Sequence, residues 1–401
     1  MKNVTKFSDT VQALRDIQHF GEEGGVVPVI DVAATSTFLN PEDMSKAFHG
    51  ELSGCYLYSR HSNPSVNIFG EKIAAMEGME AALGVASGMS AISCAIEQLM
   101  PEGGHLICSR TIYGGTYALF KSLLPRRGIK VDFVDPQDVS AFEKAIRKDT
   151  KVIYTETMSN PLLGVSDLAK LGALAKSRDI RLMIDNTFTP LMITPAQFGA
   201  DVVIHSCTKY ISGASDLIAG VIVSSREFIQ QLIDLNTGVV MLTGPVMDPR
   251  VAHELYLRLD HLPIRMIAHS RSAMHLAQKL SEAKIPVIYP GLPQHPQHEL
   301  LKSIMRPEAG FGGMLTIDCQ TTARAMKLAT RLQDQKFGLY AVSLGFSRTL
   351  MSCPSVSTSS EIPEAEQKQM NLSPGLLRLS IGYTGDDETM TKRFLACYQN
   401  L

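Results

Sequence analysis

The sequence predicts an α/β protein in which a large domain built on a mostly parallel sheet is followed by a smaller C-terminal α+β domain. Three observations predict it. Between about residues 68 and 225, seven short apolar runs appear, most of them separated by helix-length amphipathic segments, the pattern of a parallel sheet covered on both faces. Beyond about residue 247 helical segments dominate and strands thin out. At 401 residues the chain is also too long for one hydrophobic core.

Residues 1–65 carry no sustained period. GEEGG (Gly21 to Gly25) and YLYSRHSNPS make this stretch an extended N-terminal arm that needs a surface to lie against. In the large domain, 66–250, the strands are AALGVAS, HLICSR, KVDFVD, KVIYTE, RLMIDNT, DVVIHSC and LIAGVIVSS. Between them SAISCAIEQLM, TYALFKSLL, VSAFEKAIRK and SDLAKLGALAKSRD place apolar residues three and four apart, and Ser166 with Asp167 can cap the last of these helices. The third region, 251–401, opens on VAHELYLRLDHLPIRMIAHSRSAMHLAQKLSEA, a long helix expected to kink at Pro263. GGMLTIDCQ, a helix from about 321, LLRLSIGY and a final helix complete it.

Composition narrows the partners. A formal net charge of -2 with 19% charged residues gives no electrostatic reason for a nucleic-acid or anionic-membrane partner. No stretch approaches the roughly 18 apolar residues of a membrane span, and the start of the chain does not read as an export signal. A small molecule is the expected ligand. Seven scattered cysteines without a CxxC pair fit reduced thiols in a cytoplasmic protein. His295 and His298 lie in a Pro-rich loop without companion ligands, so no metal is expected.

In open parallel sheets ligands bind beyond the carboxyl ends of the strands. There the sequence sets SGMSAI (Ser87 to Ile92), whose Gly88 and Met89 amides can meet a phosphate at a helix N-terminus. Tyr113 follows HLICSR, Asn160 follows KVIYTE, Asp185 ends RLMID, and Ser206, Thr208 and Lys209 follow DVVIH. Each alone has an ordinary explanation as a cap, a packed ring or a surface charge. Together they answer one need, that of pyridoxal 5'-phosphate (PLP): an amine for a Schiff base, an acid for the pyridine nitrogen, an aromatic ring over the cofactor and donors for its phosphate. A protonated ring nitrogen would also supply the cation that a buried Asp185 requires.

YSRHSNPS (58–65), SGMSAI (87–92), YGGT (113–116), SNPLL (159–163), IDNTF (184–188), HSCTKYISG (205–213), AVSLG (341–345) and LLRLSIGY (376–383) resemble, in order, the motifs of the Cys/Met-metabolism PLP-dependent enzymes. HFGEEGGV (19–26), YPGLPQHPQH (289–298), GFGGMLTID (310–318) and TLMSCPSVSTSSEI (349–362) are most similar to the plant-type methionine γ-lyases within that family. The resemblance implies the PLP-dependent transferase-like fold type I and γ-elimination on a sulfur amino acid, with L-methionine the first choice. Cystathionine γ- or β-lyase and γ-replacement, as in cystathionine γ-synthase or O-acylhomoserine sulfhydrylase, are the alternatives. A non-catalytic scaffold on this fold would lack Lys209 or Arg378, and both are present.

The resemblance further implies that Lys209 holds PLP and moves protons, Asp185 pairs with the pyridine nitrogen, and Tyr113 stacks on the ring and protonates the leaving sulfur. Gly88, Met89, Ser206 and Thr208 would bind the phosphate, Asn160 would join the cofactor site, and Arg378 with Ser343 would take the substrate. Tyr58 and Arg60 would reach the phosphate of a neighbouring subunit, which makes the protein a homodimer with shared sites and then a tetramer. Gly115, Ala214, Ser65 and Arg348 depart from residues common in the family, Arg348 by reversing a charge beside the substrate entrance.

Overall fold

The computed structural model describes residues 4–49, 51–52, 54–357, 367, 372–399 and 401, so the last five residues of TLMSCPSVSTSSEI lie outside the described residues. All seven expected strands form: β1 Ala81–Val85, β2 Gly104–Ser109, β3 Ile129–Val134, β4 Thr150–Glu156, β5 Arg181–Asp185, β6 Val202–Ser206 and β7 Gly220–Ser224. They make one sheet in the order β1-β7-β6-β5-β4-β2-β3. Pairing is parallel from β6 through β3, whereas β7 runs antiparallel to both of its neighbours. The reason is the connection. A parallel return needs a crossover, usually a helix, and the residues between Ser206 and Gly220 form only turns.

Both faces of the sheet are apolar, and successive residues alternate between two cores. Ile153, Leu182, Ile184 and Val203 face one side, and Val152, Tyr154, Met183 and Ile204 face the other. The first side is covered by α3 (Pro64–Glu77), and the second by α4 (Gly88–Leu99). Asp167 caps the helix Leu168–Ser177, its side chain accepting from the Lys170 amide at 3.1 Å, as expected.

Two expectations change. The N-terminal arm is not simply extended, because helix α1 (Phe7–Asp16) packs Phe7 and Leu14 into the core shared with α3. Phe7, Val11 and Leu14 recur at helical spacing, a signal too short to stand out among the polar residues around it. A second arm helix, α2 (Pro41–Phe48), buries no residue at all. At Pro263 the helix does not kink but breaks, into Pro249–Leu259 and Leu262–Glu282, with the proline in the first turn of the second helix, where its missing N–H would have had no partner.

The break lets the longer helix pass between cores. Leu262 and Met266 belong to the large core, while from Ala273 onward the helix packs with the C-terminal sheet. That sheet holds β8 Val287–Ile288, β9 Met314–Asp318, β10 Leu339–Tyr340, β11 Leu350–Ser352 and β12 Leu376–Ser380 in the order β10-β11-β12-β9-β8. Leu315, Ile317, Leu377 and Leu379 point into its own core. Thr316 and Arg378, opposite each other in the β9–β12 register, point the other way, and the Thr316 hydroxyl donates to the Pro161 carbonyl of the large domain at 2.9 Å.

Candidate active site

Strand register draws up the site. Glu156 ends β4 beside Asp185 of β5, Asp185 lies beside Ile204 of β6, and antiparallel β7 sets Gly220 between Ser206 and Val85. Over this edge opens a cavity of about 290 Å³, lined by every expected site residue except Tyr58 and Arg60. Hollows of about 480 and 640 Å³ elsewhere gather none of these groups.

One end of the cavity presents the amides of a helix N-terminus, donors that could hold an anion. Ser87 caps α4 by accepting from the Ser90 amide at 3.1 Å, which leaves the Gly88 and Met89 amides at the helix end. A Cβ on Gly88 would come within 2.8 Å of the Ser206 Cβ and 3.0 Å of its Cα, so only glycine lets the helix approach β6 this closely. The Thr208 hydroxyl accepts from the Ala219 amide at 3.0 Å and gives its own proton to the Ala219 carbonyl at a longer 3.3 Å.

The other groups are charges held in unusual surroundings. Burial, then the neighbouring Arg378 charge, pushes the Lys209 amine down to about 8. Its Nζ donates to the Ser343 hydroxyl at 2.9 Å. Arg378, only 3% exposed, is brought down to about 10 by burial. Its guanidinium donates to Asn160 Oδ1 and to the Ser343 carbonyl, each at 3.1 Å, and neither partner is an anion. Ser343 therefore touches both cations, in a backbone conformation of φ +97° that side-chain-bearing residues avoid.

Asp185 accepts from the Thr187 amide at 2.9 Å and is raised by burial. Glu156 accepts from the Tyr113 amide at 2.8 Å and is raised well above the usual carboxylate range by burial and then by Asp185. Two adjacent buried carboxyls cannot both ionise cheaply, and of the two Glu156 is raised the further. Glu156 and Thr187 were missed in the sequence. The rule that picked Asp185 at the end of its strand would have picked Glu156 at the end of KVIYTE.

Tyr113 stands at the mouth, 43% exposed. A Cβ on Gly115 would lie 2.5 Å from its ring, so the glycine makes room for the ring to fold back. Of the other departures, Ser65 is buried and its hydroxyl accepts from the Asp31 amide of the arm at 2.9 Å. Ala214 and Arg348 are exposed and outside the cavity lining. Tyr58 and Arg60 are also outside it, the guanidinium donating to the Met241 carbonyl at 2.6 Å.

These groups fit PLP: a tight anion cradle at Gly88, a buried carboxyl that calls for a cationic partner, and between them a lysine made nucleophilic by burial. The family model for "Cys/Met metabolism PLP-dependent enzyme" matches residues 9–391. The chain is 43% identical to a methionine gamma-lyase of Arabidopsis thaliana over 394 residues, covering 96% of this chain and 89% of that one. It is 38% identical to an L-methionine gamma-lyase of Fusobacterium nucleatum subsp. polymorphum, over 87% of this chain and 88% of that one. A solved chain from Campylobacter jejuni, a putative O-acetylhomoserine (thiol)-lyase carrying N'-pyridoxyl-lysine-5'-monophosphate, superposes with a TM-score of 0.89 at 26% identity, covering 98% of this chain and 99% of that one. Fold type I, the PLP cofactor and carbon–sulfur lyase chemistry follow, and this chain belongs to the family of Cys/Met metabolism PLP-dependent enzymes.

Proposed function

We propose that the protein catalyses γ-elimination on L-methionine, which with water gives methanethiol, 2-oxobutanoate and ammonia. The observation that carries this reading is the meeting of Lys209 and Arg378 at Ser343, 2.9 Å from one and 3.1 Å from the other. An α-amino acid whose carboxylate lies on Arg378 then has its α-carbon within reach of Lys209. The arginine can grip a carboxylate with two parallel bonds, and its geometry is already set by Asn160 and the Ser343 carbonyl.

When bound, PLP draws electrons from the α-carbon and makes its proton removable near neutral pH. Lys209 takes that proton at Nζ, since burial has brought its affinity close to the working range. Asp185 would hold the ring nitrogen and Tyr113 would cover the ring. The Gly88 and Met89 amides and the Ser206 hydroxyl would hold the phosphate, and Thr208 would join them by turning its proton away from the Ala219 carbonyl. The Tyr113 hydroxyl delivers a proton to the departing sulfur. Exposed Ile218 and Val342 give the mouth an apolar lip suited to a thioether side chain.

Purified protein given methionine should release methanethiol and 2-oxobutanoate in equal amounts without added thiol. γ-Replacement is the second reading, favoured by the likeness to the Campylobacter chain. If methionine and cystathionine stay intact while O-acetylhomoserine and a thiol form a thioether, replacement is the correct reading.

For the assembly we propose a homodimer with shared sites, paired into a tetramer, in which Tyr58 and Arg60 reach the neighbour's phosphate end. The arm leading to them leaves Val26, Val29, Val32 and Leu39 exposed, as a surface awaiting a second copy would. Seven unpaired cysteines support the cytoplasm as the compartment. Among the described residues no helix is long and apolar enough to cross a membrane.

A further inference from the structure

A buried polar network lies behind the cavity, on the opposite face of the sheet. Glu77, the last residue of α3, is 1% exposed and His205 0%. Glu77 Oε1 accepts from His205 Nε2 at 2.8 Å and from Asn186 Nδ2 at 3.0 Å. Asn186 directly follows Asp185, and His205 directly precedes Ser206. One oxygen thus holds the chain neighbours of the residue at the ring-nitrogen end and of a residue at the phosphate end.

The network then closes around Asp185 through its backbone. The Asn186 amide donates to the Ile204 carbonyl at 2.9 Å, tying β5 to β6 at the cavity edge. Asn186 Oδ1 accepts from the Thr189 hydroxyl, which lies 2.7 Å from the Thr157 hydroxyl, and the Thr157 amide donates to the Asp185 carbonyl at 3.1 Å. Thr157, Asn186 and Thr189 are fully buried. Glu77 Oε2 and His205 Nδ1 have no hydrogen-bond partner among the described residues. Burying such groups is unfavourable compared with an apolar side chain, so packing does not explain their presence. None of them touches the cavity.

We propose that Glu77 is a positioning residue, which through Asn186 and His205 fixes where Asp185 and Ser206 leave the sheet and so sets the grip on the cofactor's ring nitrogen and phosphate. The inference rests on the reading of Asp185 given above. Binding constellations must be held within about 0.5 Å of their productive geometry, and in metal sites the groups that hydrogen-bond the ligands change affinity or activity about 10–100-fold when removed, the scale expected for this site.

The test compares binding of PLP, and of its analogue with carbon in place of the ring nitrogen, to apo-protein, alongside thermal unfolding of the same apo-proteins. Glu77→Met keeps volume and removes both bonds, and Glu77→Gln keeps an accepting oxygen. The expected result is PLP affinity about tenfold weaker for Glu77→Met, a smaller loss for the carbon analogue, and near wild-type behaviour for Glu77→Gln. Should Glu77→Met fail to fold, Asn186→Ala, which cuts only the Asp185 branch, should show the same narrowed preference. An equal loss for both ligands, with only a lower apo stability, overturns the proposal, as does unchanged PLP affinity. A wild-type protein that takes up no PLP would instead overturn the reading of the site itself.

Discussion

Lys209 and Arg378 are two cations facing one cavity, and burial moves both below their ordinary pKa values. For Lys209 the consequence is measurable before any turnover. With a value of about 8, the neutral amine is about a hundredth of the population at pH 6 and about half at pH 8. The rate at which apo-protein takes up PLP, followed by the absorbance of the bound cofactor, should rise about tenfold per unit at low pH and level off above 8. A flat profile would remove the lysine from this role. The carboxyls behave in the opposite sense. A group whose folded pKa lies above its unfolded one stabilises the fold fully below the unfolded value and loses that contribution as pH rises through the folded value. Glu156 is such a group, so Glu156→Gln apo-protein should unfold at a higher temperature than wild type at pH 8, with the gap shrinking toward pH 5. Calorimetry at both pH values decides it.

Among the elements, the strands were readable because each is a short apolar run bounded by turn residues, whereas their directions were not. Direction depends on the connection, and the one between β6 and β7 lacks the helix that a parallel return requires. The same limit hid the strands of two and three residues in the C-terminal sheet, which are too short to show a period. Helix α4 was anticipated as an anion-binding end, but not how closely it presses on β6. Gly88→Ala would drive a methyl group against the Ser206 backbone. We expect it to lower stability by about 1–3 kcal/mol, as overpacking does, and to weaken phosphate capture. Equilibrium denaturation and PLP titration on the same variant separate the two effects. An alanine tolerated on both counts would mean that the helix is free to move away.

At the scale of the whole molecule, the proposal that Tyr58 and Arg60 act on a neighbour's site has a direct consequence. Lys209→Ala and Arg60→Ala proteins should each be inactive, yet a mixed dimer contains one site with both native residues. After random exchange of subunits about a quarter of wild-type activity should return, by the symmetry of the assembly. If mixing restores nothing, the two residues do not serve one site across an interface. The division at about residues 65 and 250 remains a proposal about folding units, since core packing hands over gradually along the helix Leu262–Glu282. The order of strands and helices, the turn at Gly88 that opens a helix and the strand-end placing of Lys209 and Asp185 came from local signals, period and caps, while Arg378 came from its place in a motif that resembles the family's. What only the folded chain decided is which groups share a cavity and what charge they carry. Arg378 lies 169 positions after Lys209 and meets it at Ser343 only because the polar face of β12 turns toward the large domain. The Glu156 carboxyl is raised well above the usual range because the fold buries it and sheet register then sets Asp185 beside it. Proximity and burial arise from long-range packing, and a pattern read along the chain carries no distance across it.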